Sequence, residues 1–355
     1  MQQVRSIHYL RGMAAILVVC FHARGYMNNV YEQHNLGDLL FSSGAAGVDL
    51  FFIISGFIIS MSFESGRDGA LSFIIKRFFR IYPVFIVMLL ATIYINDIGF
   101  DGNTIKSLLI INNNFNDQAP TFGYNILSPA WSLSYEIYFY ATFIISIMIS
   151  KKYSSYVCIL ILLVPMCALQ IYYTGTLSLN AEQRVLSETD GINSILKITS
   201  SPMLVEFAVG IILHKAFKKN LISRIPCSLC VSAFLFAIYC YISDSFYGYG
   251  PSRFGLWCLM LFIAAIAIES KGFLPYSYFL KKAGDYSYSI YLSHMVIIYY
   301  IQSGGDIGIY LNSHNGASKV FLVLSCTMIA SHFAFKYIET PFINIGRRVV
   351  KRIYN

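Results

Sequence analysis

The sequence predicts an all-α, polytopic membrane protein with about ten transmembrane helices and both termini in the cytoplasm. Three observations carry that expectation. The chain is 56% hydrophobic, with a mean hydropathy of +0.59. Only 12% of its 355 residues are charged, about half the roughly 25% of a soluble domain. A folded chain of this length needs a polar coat, and this composition cannot supply one, so lipid is the expected solvent. The third observation is the placement of the basic residues, which depends on the segments themselves.

A helix needs roughly 17–25 mostly apolar residues to cross the hydrocarbon core. That window finds ten segments, at 6–24, 44–63, 82–98, 131–149, 155–173, 202–217, 228–243, 252–269, 286–302 and 318–336. The first and ninth are the weakest by hydropathy. Segment 104–111 is too short to span and reads as a loop or interfacial helix. With the N-terminus inside, 19 of the 26 basic residues fall on the cytoplasmic side and 6 on the outer side, leaving Arg11 within a helix. Both the excess and its alternation from loop to loop obey the positive-inside rule. The net charge of +8 is therefore a topological signal and implies no nucleic-acid partner. The lipid bilayer is the expected surrounding.

Six of the eight cysteines lie in apolar runs, where a thiol behaves as a small hydrophobe. The single Cys227–Cys230 pair lacks a second pair or a neighbouring His, so no metal site is expected. No fixed-period repeat and no cleavable leader are visible. There is no phosphate-binding P-loop and no nucleophile elbow.

Ionisable groups inside spans are costly and mark function by default. Here they are Arg11, His22, Asp49, Glu136, Glu206 and His294. Arg11 and His22 are eleven residues apart, three helical turns plus about 20°, so they share one face of the first helix some 16 Å apart along its axis. Histidine suits general-base work near neutral pH, and a carboxylate such as Asp49 on its far nitrogen would fix its tautomer. Arg77 and Arg80, three apart, suit phosphate oxygens as well as anchoring the chain inside. Pro83 is expected at the first turn of the third span. Glu136, Ser134, Tyr288 and His294 are candidates for acceptor binding or for polar contacts between helices. Trp131 and Tyr135 fit an outer aromatic belt. His8, His34, His214, His314 and His332 show no recurrent spacing.

Several motifs follow one another in order along the chain. They are Tyr9-Leu10-Arg11-Gly12-Met13-Ala14-Ala15 with the Arg-x10-His spacing to His22, and Gly47-Val48-Asp49-Leu50-Phe51-Phe52-Ile53-Ile54-Ser55-Gly56-Phe57. Arg77-Phe78-Phe79-Arg80-Ile81-Tyr82-Pro83 and Trp131-Ser132-Leu133-Ser134-Tyr135-Glu136 come next. Tyr286-Ser287-Tyr288-Ser289-Ile290-Tyr291-Leu292-Ser293-His294 and Glu339-Thr340-Pro341 complete the series, which as a whole resembles the acyltransferase-3 family of bacterial membrane O-acyltransferases. The resemblance implies a ten-helix core, His22 as catalytic histidine with Arg11 as its partner, and Arg77 and Arg80 as acyl-CoA contacts. It implies no bound cofactor, with acyl-CoA (acetyl-CoA foremost) as co-substrate and a glycan or other hydroxyl acceptor met on the outer side. Residues 1–355 are expected to form one integral domain of the bacterial inner (cytoplasmic) membrane without an appended soluble domain, reaching the acceptor directly or through a partner protein. The competing reading is a glycan or solute transporter or flippase that uses the intramembrane His, Asp, Glu and Arg as a relay.

Overall fold

The computed structural model describes residues 4–64, 69–186, 194–303 and 315–354. Arg67 and His314 lie outside these. Among the described residues there is helix and loop but no strand. Every apolar segment expected from the sequence falls on a helix: α1 Arg5–Ala23, α3 Gly47–Glu64, α4 Ala70–Ile95, α6 Trp131–Ile149, α7 Ser154–Thr174, α9 Met203–Lys218, α10 Cys227–Ser243, α11 Phe254–Ser270, α12 Tyr278–Gln302 and α13 Ala317–Ala334. Short helices α2 Leu36–Phe41, α5 Gly102–Leu108 and α8 Ser194–Thr199 sit in the connections. A π-turn, Phe335–Glu339, leads into α14, Thr340–Tyr354.

Among the described residues six helical stretches are long and apolar enough to cross a membrane: Arg5–Met27, Leu36–Glu64, Ala70–Ile95, Ser128–Ile149, Ser154–Thr174 and Ala317–Ile353. The protein thus has the makings of a multi-pass membrane protein, although four of the ten expected spans miss that standard. Helices α10 and α11 are apolar but 17 residues long, and α9 has 16. Helix α12 is long but polar because it turns Ser287, Ser289, Ser293 and His294 into the protein, where all four are buried.

The third segment needs a correction. Helix α4 begins at Ala70, not near residue 82, and Pro83 lies inside it. The apolar residues Leu71, Phe73, Ile74 and Ile75 extend the helix backwards through the basic cluster. The proline forfeits one backbone hydrogen bond there instead of starting the helix.

Close contacts fix the order of the bundle. A Cβ on Gly12 of α1 would come within 2.7 Å of Gly284 N on α12, and one on Gly47, at the start of α3, would lie 2.6 Å from Ala14 O on α1. Only glycine lets these backbones approach so closely, as small residues do between membrane helices. Helix α1 is thereby held between α12 and α3, which decides what its polar face can meet. Glu269, at the end of α11, accepts the backbone N–H groups of Arg5 and Ser6 at 2.8 and 2.7 Å. It caps the orphan donors at the start of α1 from another helix. At the same end, Glu64 pairs with Lys215 and Lys218, and α14 lies against the start of α4, with Phe342 stacked on Phe79. Both described ends of the chain therefore lie at this basic end of the bundle.

At the opposite end Ser134 donates to Ile110 O and Asn112 Oδ1 at 2.9 and 2.8 Å, pinning the loop that comes after α5. Asp101 starts α5 with a capping box, accepting from Thr104 N at 2.9 Å. That bond holds its carboxyl below the ordinary carboxylate range.

Candidate active site

Three cavities succeed one another through the bundle, the central one enclosed by helices α1, α3, α4, α6 and α12. The first, of about 160 Å³, opens at the basic end between Lys76, Arg77 and Arg80 of α4 and Arg347 of α14. The central cavity, of about 230 Å³, shares Ser62, Arg77 and Arg80 with it and adds Arg11, Ser55, Glu136 and Tyr288. The third, of about 140 Å³, holds His22 and Glu182 among aromatic side chains. Val48 and Tyr291 line both of the last two and so form their common wall.

The central cavity is rich in positive charge. Among the described residues neither Arg11, Arg77 nor Arg80 makes a hydrogen bond or ion pair. Arg77 lies 5.3 Å from the ring centres of both Phe73 and Tyr140, a cation–π arrangement. Arg11 is within electrostatic reach of Arg80, Glu339 and Glu136. Glu136 is occupied by neutral donors, accepting from Ser55 Oγ at 3.1 Å and from the Tyr140 hydroxyl. Tyr288 donates to Ile81 O at 2.9 Å and tethers α12 to α4. Three guanidinium groups without hydrogen-bonded anions face this cavity, and a fourth lines the cavity next to it; such forks match the geometry of phosphate or carboxylate oxygens.

His22 has a different partner from the one its sequence context suggests. Its Nδ1 lies 2.9 Å from Val18 O and 3.2 Å from Nε2 of His294, with ring centres 4.9 Å apart. Nδ1 of His294 in turn lies 3.2 Å from Ile290 O. A carbonyl only accepts, so the hydrogen-bond pattern assigns the proton of each ring to Nδ1. His22 Nδ1–H then donates to Val18 O and to the lone pair of His294 Nε2. Nε2 of His22 has no hydrogen-bond partner among the described residues and is left as the basic nitrogen at the third cavity.

Asp49 does not orient His22. It lies on the other side of α3, fully buried, where Oδ1 accepts the Gly250 N–H at 2.8 Å and the carboxyl lies against that of Glu206. No hydrogen-bond donor among the described residues reaches Asp49 Oδ2 or either Glu206 oxygen. Asp49 opens α3 and faces away from α1 towards α9 and α11, which is why it misses the imidazole.

Ser134 lies outside the three cavities, engaged with the loop after α5. Trp131 and Tyr135 are not a belt at the lipid boundary: they are 4% and 0% exposed, and Trp131 lines the third cavity. Other histidines found local partners instead, His214 on Ser60 Oγ at 2.8 Å and His8 on Asp285 at 2.9 Å. Glu182, Tyr247, Tyr249 and Arg347 complete the cavities, and sequence reasoning missed all four. Packing pushes the Tyr247 and Tyr249 phenols above their ordinary range, so both present a neutral O–H.

The chain is thus a helical bundle of the membrane type, with a file of cavities that is basic at one end and carries an imidazole with a free nitrogen at the other. The acyltransferase-3 family model, described as an acyltransferase domain, matches residues 4–335, and the chain belongs to that family. It is 27% identical over 320 residues to the exopolysaccharide production protein ExoZ of Rhizobium meliloti (strain 1021), covering 86% of this chain and 92% of that protein. It is 24% identical over a 391-position alignment to a Staphylococcus aureus (strain COL) protein named "Putative O-acetyltransferase SACOL0978", covering 98% of this chain but 58% of that protein. Over 39% of the chain it is 29% identical to 38% of the acyltransferase MdmB of Streptomyces mycarofaciens. No solved structure matches.

Proposed function

We propose that this protein is an acyl-CoA-dependent O-acyltransferase of the bacterial inner membrane, crossing it ten times with both termini in the cytoplasm. It moves a short acyl group, acetyl foremost, to a hydroxyl of a cell-envelope or exported glycan. One observation carries the reading: unpaired guanidinium groups and the free nitrogen of His22 face successive cavities of one file. The names of the relatives, exopolysaccharide production and O-acetyltransfer, support the acceptor class and the acyl group. The donor enters at the basic end, its phosphates on Arg77, Arg80 and Arg347 and its thioester arm along the central cavity past Arg11. The acceptor meets it from the far end, directly or delivered by a partner protein.

In this mechanism His22 Nε2 removes the proton of the acceptor hydroxyl as its oxygen attacks the thioester carbonyl. The C–S bond then breaks, the ester remains on the acceptor, and the thiolate of CoA takes the proton back from His22. His294 acts through its lone pair, which keeps His22 Nδ1 protonated and Nε2 aimed at the acceptor. Arg11 positions the donor, for its depth places it one cavity away from the imidazole. The test is CoA release by the purified protein with acetyl-CoA and a neutral glycoside. Release that needs the glycoside and yields its ester supports transfer. Solute flux without CoA release would move the chain to the transporter class.

A further inference from the structure

The cavity at His22 has a wall whose chemistry points to its occupant. Trp131, Tyr124, Tyr249 and Tyr291 surround it. Among the described residues Glu182 is its one carboxylate, with no lysine or arginine in the lining. The carboxylate is built in. Its Oε1 accepts the Tyr249 N–H at 3.3 Å, and the loops bearing the two residues are joined by Ala181 N–H to Tyr249 O at 3.1 Å. Gly248 makes the room, for a Cβ there would come within 2.9 Å of Oε1 and 3.1 Å of Oε2. The loop is tied down in turn by Gly250 N–H to Asp49. Oε2 of Glu182 has no hydrogen-bond partner among the described residues. Nor has the indole N–H of Trp131, a side chain only 4% exposed and set edge to face against Tyr249 with ring centres 5.3 Å apart.

We infer that this cavity is the acceptor subsite and that Glu182 selects a neutral, polyhydroxylated sugar ring over an anionic one. The inference rests on the acyl-transfer reading for the chemistry after binding, but not for binding itself. A carboxylate whose cavity wall holds no lysine or arginine accepts hydroxyl protons and repels carboxylate or sulfate groups; Arg24, within electrostatic reach of His22 and Tyr247, is paired with Asp38 at 2.9 Å. Trp131 and Tyr249 offer apolar ring surface to the sugar's C–H faces, and the indole N–H donates to one of its oxygens. A ring held by Glu182 and Trp131 leaves another hydroxyl to face His22 Nε2. Asp49 is thereby a positioning residue for the acceptor loop, not for the imidazole.

The chain carries two tryptophans, Trp131 and Trp257, so Trp257→Phe makes Trp131 the sole indole emitter. The full-length protein in nanodiscs is titrated with methyl β-glucoside and with methyl β-glucuronide, with no donor present. Saturable change with the glucoside is expected, at least tenfold weaker with the glucuronide. Glu182→Gln should weaken glucoside binding about tenfold, the size of one charge-assisted hydrogen bond, and Glu182→Arg should reverse the preference. Should Trp257→Phe fold poorly, the difference between wild type and Trp131→Phe gives the same signal. Equal binding of both sugars, an unchanged affinity in Glu182→Gln, or no saturable change with the glucoside would each overturn the inference. Sugar binding as expected without acyl transfer would instead refute the transferase reading and leave the subsite standing.

Discussion

Two imidazoles in contact, with no carboxylate on either, divide the work at His22. The Val18 carbonyl and His294 Nε2 both face its Nδ1, so the ring is held in one tautomer by a backbone oxygen and a neutral lone pair. His294→Phe removes the second acceptor while keeping the ring volume. We expect kcat to fall about tenfold with donor KM unchanged, the loss of one hydrogen bond that matters in the transition state. His294→Gln, whose carbonyl can accept the same proton, should recover most of it. Wild-type kcat in His294→Phe would mean that His294 only packs. At this scale the sequence was a partial guide. Arg11 and His22 on one face follow from helical geometry alone, and the structure sends them to successive cavities. Asp49 looked like His22's carboxylate because sequence gives depth in the membrane but not the side of the helix a neighbour occupies. Glu182 and Gly248 meet across a long stretch of intervening chain, and nothing local in either stretch announces the contact.

At the scale of elements, α4 and α14 form the entrance. Arg77 and Arg80, on successive turns of α4, face the first two cavities, and Arg347 closes the first from α14. The Arg77→Ala/Arg80→Ala double variant should raise donor KM about 10–100-fold, as two charge-assisted contacts are lost, while kcat falls much less, the mark of ground-state binding. An unchanged donor KM would return the pair to the role of a basic anchor. Element existence was legible throughout, since each apolar run is a helix. Boundaries and polarity were less so. Pro83 looked like a helix start because proline favours that place, yet the apolar run before it carries the helix through. Helix α12 looked weak because its serines, tyrosines and histidine lower its hydropathy, and these are the groups it turns inward.

For the whole molecule, the contacts at the two ends of the bundle make successive long helices run in alternate directions. Arg5 meets Glu269 and Glu64 meets Lys218 at one end, while Ser43 meets Asp244 and Ala317 meets Tyr31 at the other. On the proposed ten-span topology, residues 110–125 lie outside and residues 219–224 inside. Reporters inserted there should be active in the periplasm and cytoplasm respectively, and the reverse at either site would overturn the helix count. Loop charge is what supports that proposed topology from the sequence, because translocation responds to lysine and arginine without reference to the fold. The file of cavities could not be read that way, since it exists only where several helices meet. The central claim is that His22 moves the proton between the two ends of that file. The most direct measurement is ester formation on the neutral glycoside, with acetyl-CoA, by His22→Ala beside wild type, each confirmed to insert normally. A general base contributes about 10²–10⁴-fold, so the account predicts a kcat lower by that factor with donor KM little changed. Acylation by His22→Ala at the wild-type rate would contradict it.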